Sequence, residues 1–139
     1  MLYEITPYKG AGHLLLGASS EEIQGICGEK PEKFKKIQDD EYYTDFYTDF
    51  CAFYKKPGVC EAIEFHKPAV VIYNKISLLS EPYNKVKDSL LQLDKDIVVD
   101  NDGLTSLKLG LGIYAPDADE EDPSYVAEGV IVFEKGYYK

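Results

Sequence analysis

Hydrophobic and polar positions run through the same order twice along this chain: a short apolar run, a stretch of helical spacing, then segments of alternating or unbroken apolar character. Leu14-Leu15-Leu16 follows Gly10-Ala11-Gly12 and reads as a bend entering a short buried strand. Ser19 with Glu22 three positions on has the capping-box spacing and opens a helix, with Ile23, Ile26 and Cys27 as its inner face and Gly28 as its stop. Beyond Pro31, Phe34 and Ile37 fall on a lysine-rich turn or second short helix. Tyr42 to Tyr54 is dense in aromatic and β-branched residues and predicts one long strand or two short ones. Alternation there puts Phe46, Phe50 and Ala52 on one face and Asp45 and Asp49 on the other. Lys55-Lys56-Pro57-Gly58 then turns the chain into Val59 to Phe65 as a hairpin.

The second pass begins at Ala69-Val70-Val71-Ile72-Tyr73, apolar throughout and expected at the centre of a sheet. Asn74-Lys75 turns into Ile76 to Leu79, and a helix over 81–93 buries one stripe of Val86, Leu90 and Leu93, with Pro82 in its first turn. Ile97 to Val99 and Leu104 to Tyr114 flank an Asp-Gly hairpin turn, and Val126 to Glu134 is the last strand. Val59-Cys60-Glu61-Ala62-Ile63 aligns without a gap on Val126-Ala127-Glu128-Gly129-Val130. Units of this length cannot bury a core alone. The expectation is therefore a single domain over 1–139, with repeat halves at about 12–73 and 76–138. Its fold class is α+β: two α-β repeats sharing a large, mostly antiparallel sheet with two helices on one face. Two helices cover only part of such a sheet, so its remaining face is polar or a docking surface.

Composition sharpens this. The 139 residues are 45% apolar, enough for a compact core without staples. Three cysteines, Cys27, Cys51 and Cys60, an odd count without any Cys-x-x-Cys pair, argue for reduced thiols. No leader precedes the acidic, aromatic opening Met1-Leu2-Tyr3-Glu4, and no apolar run reaches membrane-spanning length, so the expected location is cytoplasmic, away from membranes. Twenty-five carboxylates face fifteen cations for a formal charge of -10, and every cation is lysine. Net repulsion and the lack of arginine both count against a nucleic-acid partner.

One resemblance rests on roughly the first quarter of the chain, with a fainter echo near Ile76 to Leu90. Gly12-His13-Leu14-Leu15-Leu16-Gly17-Ala18-Ser19-Ser20-Glu21-Glu22-Ile23, followed by Cys27-Gly28-Glu29-Lys30-Pro31, resembles the helix entry and exit of two groups. One is the small α-β repeat domains of β-lactamase-inhibitor-like and outer-membrane-assembly lipoproteins. The other is a set of small cytoplasmic bacterial proteins that includes immunity proteins. There is no lipobox cysteine, so the resemblance implies a cytoplasmic binder, an inhibitor of a toxin.

Catalytic signatures are sparse. His13 and His66 read as structural or exposed, and Cys60 stands about 20 Å of extended chain from His66, too far for a dyad. No nucleophile elbow, phosphate loop or zinc spacing occurs, and Gly110-x-Gly112 precedes no helix. Asp100-x-Asp102-Gly103 lacks the remaining ligands of a calcium loop. Neither a cofactor nor a metal is expected. What remains is a binding surface. The acidic groups Asp39, Asp40, Glu41, Asp45 and Asp49, and Asp117, Asp119, Glu120, Glu121 and Asp122, lie beside Tyr42, Tyr43 and Tyr125 in a chain of twelve tyrosines. Tyrosine combines a broad apolar ring with a polar tip and is enriched at interfaces. The expected partner is a basic protein, plausibly a nuclease toxin, met by a monomer or weak homodimer. Two alternatives stand: a small-ligand protein or enzyme using Glu61, Glu64, Glu128 and His66, and an adaptor or homodimer formed through an edge strand.

Overall fold

The structure is a computed structural model that describes residues 2–35 and 41–138. The first half supplies β1 (Leu2–Thr6), β2 (Gly10–Ala11), β3 (Leu14–Leu15), α1 (Ser20–Cys27), β4 (Glu32–Phe34), β5 (Thr44–Phe46), β6 (Phe50–Lys55) and β7 (Val59–His66). The second supplies β8 (Val70–Tyr73), β9 (Ile76–Ser77), α2 (Tyr83–Leu93), β10 (Val98–Asp100), β11 (Gly103–Ser106), β12 (Leu111–Tyr114) and β13 (Gly129–Phe133). The fold is α+β with mostly antiparallel sheets. The strands form two sheets rather than the one expected: a five-stranded sheet in the order β3-β2-β1-β8-β9 and an eight-stranded one in the order β10-β11-β12-β13-β7-β6-β5-β4. The run at 70–73 is accordingly not central in the larger sheet. It pairs in parallel with β1, which holds the middle of the smaller sheet.

Both helices form where their end signals stand. Ser19 accepts from the Glu22 amide while Glu22 accepts from the Ser19 amide, and Gly28 closes α1 at a φ of 69°. The stripe on α1 is narrower than its spacing suggests: Ile23 is buried, Cys27 half-buried and Ile26 exposed. Pro82 stands at the N-cap of α2, and Tyr83, Val86 and Leu90 form its buried face. The stretch after Pro31 is strand β4, not a helix; Ile37 lies outside the described residues.

Two predicted strands are divided. The expected strand at 104–114 is two strands joined by a turn at 107–110, where Gly110 has a φ of 66° and a Cβ would lie 3.1 Å from the Tyr8 ring. Likewise β5 and β6 are separated by a tight turn that the Tyr47 amide closes by donating to the Phe50 carbonyl. That turn resets the alternation, so Asp45 lands on the buried face with Phe50 and Ala52, while Phe46 is exposed.

Register shows how the layers stack. Residues opposite one another across a ladder share a face. One row crosses the sheet as Asp45, Ala52, Ile63, Val132, Leu111 and Ser106, and all six are buried. The helices are tied to its two ends. Ser20 at the start of α1 donates to Asp45 over 2.5 Å, and Ser106 donates over 2.7 Å to Asp94, the C-cap of α2. Both helices thus lie against the same face of the larger sheet. The smaller sheet packs there too, through Tyr3 of β1, whose ring centroid is 4.7 Å from that of Phe65 and 6.2 Å from that of Phe50. One hydrophobic cluster draws on both sheets and both helices.

The eight-stranded sheet also reads alike from its two ends: four consecutive strands of the first half meet four of the second at the β7·β13 pair. In that pair Glu64 faces Ile131, and on either side Ile63 faces Val132 and Phe65 faces Val130. Each helix entry makes one isolated bridge, Ser19 to Val59 at the start of β7 and Pro82 to Val126 ahead of β13.

Candidate functional site

The face of the larger sheet away from the helices carries a second row: Glu32, Phe46, Cys51, Glu64, Ile131, Gly112, Thr105 and Val98. Neither helix covers it. Phe34, Phe46, Tyr114, Val98 and Tyr138 are all at least 40% exposed, so apolar surface meets water toward both edges of this face. At the β4 end the surface is aromatic, with Phe46 5.4 Å from the His66 ring in a stacked arrangement and 5.9 Å from Phe34. On β13, Phe133 is covered by Tyr137 and Tyr138, with ring centroids 5.8 and 4.9 Å away.

Toward the β10 end the sheet is hollowed. Gly112 faces Ile131 and Thr105 across the ladders, and Gly103 and Gly129 both face Tyr114, so three backbone positions lack side chains on one stretch of surface. A Cβ on Gly112 would lie 3.1 Å from Ile131 Cγ2, and one on Gly103, at a φ of 142°, would lie 1.8 Å from the Ile113 carbonyl oxygen. The resulting depression of about 200 Å³ is walled by Tyr114, Ile131 and Tyr138 and edged by Glu64, Asp100 and Asp102. Burial raises the Tyr138 hydroxyl above its ordinary pKa, and the Glu64 carboxylate adds to the effect. Burial likewise pushes Tyr137 up to about 12, with contributions from Tyr138, Glu61 and Glu64.

Asp100 and Gly103 also line a smaller cleft on the far side of the β10–β11 turn, together with Tyr83, Lys87, Asp119 and Glu120. The acidic loop at 115–123 is thereby moored beside the hollow. Ala115 donates to the Asp102 carbonyl over 2.7 Å, and Asn84 of α2 donates to the Asp119 carbonyl over 3.3 Å. Within the loop Asp119 accepts from the Glu121 amide and Asp122 from the amide and hydroxyl of Ser124. Asp117, Asp119, Glu120, Glu121 and Asp122 are all exposed, and Tyr125 braces them by accepting from the Asp117 amide and donating to Glu128.

The first acidic group divides. Asp39 and Asp40 lie outside the described residues. Glu41 is exposed and 3.7 Å from the Lys56 ammonium, beside half-buried Tyr42 and exposed Tyr43. Asp45, expected as a recognition charge, is instead wholly buried. It accepts from Ser20, from Lys33 at 2.6 Å and from Tyr54 at 2.7 Å, a latch between α1 and the sheet. Burial, and then the Asp45 carboxylate, hold the Tyr54 hydroxyl far above its ordinary pKa. Asp49 is half-buried and accepts from Tyr3 over 2.8 Å. Among the carboxylates of the enzyme alternative, Glu64 edges the hollow, Glu61 lines a separate depression with Glu41, Tyr42 and Tyr137, and Glu128 is exposed.

Sequence reasoning missed the hollow. Its signal was three glycines at strand positions, Gly103, Gly112 and Gly129, which face one side only once the pairing is known. Among the described residues no group of three or more His, Cys, Asp and Glu is placed to hold a metal ion, and no helix is long and apolar enough to cross a membrane. Compared with known proteins, the chain matches no family model, no curated protein and no solved structure.

Proposed function

We propose that this chain is a binding protein of the immunity type, a cytoplasmic inhibitor that neutralises a basic protein, such as a nuclease toxin with a cationic cleft, without turnover of its own. The observation that carries this reading is the uncovered face of the eight-stranded sheet: exposed aromatic rings toward the β4 end and at the hollow, carboxylates of Glu64, Asp100 and Asp102 edging the hollow, and the exposed acids of the loop at 117–122 alongside. Apolar rings supply contact area, and a chain of net charge -10 draws a basic partner in by long-range attraction. The chain also reads as a duplicated unit, supported by the matched helix entries at Ser19 and Pro82 and the β7·β13 register. Duplication explains how so short a chain builds so wide a sheet.

Co-purification from the native host followed by mass spectrometry tests the reading. The expected result is a basic protein whose association weakens as salt rises, and weakens again when Asp119 and Glu120 are replaced by lysine. Tight association with RNA or DNA, or catalytic turnover by the chain alone, would overturn it. A second reading, a homodimer, is favoured by one feature: β10 presents Val98 and Val99 at 59% and 47% exposure, and its outer edge pairs with no strand among the described residues. Light scattering at high salt separates the two, because a salt-insensitive dimer fits only this one.

A further inference from the structure

We infer that the hollow on the open sheet face is a receptor for a single arginine side chain of the basic partner, an inference that rests on the reading above and gives it an anchor point. A guanidinium is planar, weakly hydrated and always charged; it stacks on aromatic faces and donates in several directions at once. The hollow offers what such a group needs. Gly112 carries no side chain of its own between Thr105 and Ile131, so the floor is low there, and the Ile131 methyl that a Cβ at 112 would meet at 3.1 Å gives a flat group an apolar surface to lie on. Tyr114, half-exposed on β12, and Tyr138, from the chain after β13, supply ring walls. Glu64, at the middle of the β7·β13 pair, and Asp100, at the end of β10, supply acceptors on opposite sides.

The placement of charge singles this depression out. Lys33 is drawn to the opposite face by Asp45, Lys55 is paired with Glu134, and Lys56 with Glu41, while no lysine lines the hollow. A depression of about 200 Å³ holds a guanidinium and part of its methylene stem but not a folded segment. The rest of the partner then lies over Phe46 and Phe34 on one side or the loop at 117–122 on the other.

The test titrates the intact, isotope-labelled protein with butylguanidinium and, in parallel, with N-butylurea, its neutral isostere, and follows amide and methyl resonances. Butylguanidinium should shift the Gly103 and Gly112 amides and the Ile131 methyls in a saturable way, and N-butylurea should not. Glu64→Gln and Tyr114→Leu should each weaken the interaction, about tenfold for a charged or cation–π contact in a partly desolvated site, whereas Tyr114→Phe should bind as the parent does. Unchanged Val132 and Leu111 methyl shifts establish that each variant is folded. Equal shifts from N-butylurea, or shifts that spread over the 117–122 loop without saturating at the hollow, overturn the inference. The basic-partner reading would survive that failure, since it is tested independently by co-purification and its salt dependence.

Discussion

Tyr54 and Tyr83 are alike in the sequence and opposite in their surroundings. The Tyr54 hydroxyl donates to the buried Asp45 carboxylate, whereas the Tyr83 hydroxyl is buried with no hydrogen-bond partner among the described residues. A buried hydrogen bond to a charged group stabilises by about 1.5–3 kcal/mol, and a buried hydroxyl left without one costs about 1–3 kcal/mol of desolvation. Tyr54→Phe should therefore lower unfolding free energy in urea by roughly that amount, while Tyr83→Phe should leave it unchanged or raise it. Removing the acceptor is worse, because it strands several donors at once. Asp45→Ala should cost about 3 kcal/mol, and a loss below about 1 kcal/mol would show that the latch to Ser20, Lys33 and Tyr54 is not formed. None of this was legible from composition. The tandem Tyr-Thr-Asp-Phe tetrads present Asp45 and Asp49 as equals, and only the turn between them sends one carboxylate fully inside and leaves the other half-buried against Tyr3.

At the scale of elements, what could be read was whatever carries its own end signal. The capping box at Ser19 and the glycine at 28 place α1 correctly, and the apolar stripe places α2, because these signals are local. Strand limits inside 104–114 were not readable: Leu107, Leu109, Leu111 and Ile113 keep the alternation of a strand while the backbone turns at Gly110. The cap gives a prediction with a pH signature. Hydrogen bonds from the backbone and hydroxyl of Ser19 hold the exposed Glu22 carboxylate below its ordinary pKa. A depressed carboxylate stabilises the fold in full above its unfolded pKa, about 4.3, and loses that contribution as pH falls through the folded value. Glu22→Gln should thus flatten the acid limb of a thermal-stability profile, whereas the cap variant Ser19→Ala, which keeps the backbone donor to Glu22, should cost about 1 kcal/mol at neutral pH. The β10–β11 turn is stricter. A methyl group on Gly103 would collide with the Ile113 carbonyl, so Gly103→Ala should lower the midpoint of denaturation by more than the cap variant does, and equal midpoints would contradict that contact.

For the whole molecule, the class of fold and the existence of an uncovered sheet face follow from counting: two helices cannot shield so many strands. The division into two sheets does not follow, because it depends on β1 pairing with β8, residues nearly seventy positions apart by chain count and carrying no mark of each other. Cys60 reports on the assembled whole. It is fully buried on β7, where its amide donates to the Ala18 carbonyl at the entry to α1, and burial pushes its thiol up to about 12. In the folded protein the thiol thus stays protonated at pH 8, and only opening to solvent returns it to the ordinary thiol range. Alkylation of Cys60 should therefore track global unfolding, with urea accelerating it in step with the loss of circular dichroism; fast labelling of the native protein would contradict the burial.

The central seam has its own consequence. Glu64 and Ile131 meet at its midpoint, a carboxylate against a hydrocarbon. Bring two copies of 59–66 together in that register and two anions would confront each other about 5 Å apart, a repulsive arrangement. Two copies of 129–133 would place isoleucine against isoleucine, which is permissible. The join therefore discriminates: it rejects first with first, and among encounters between nascent or partly opened chains it steers the first segment toward the second.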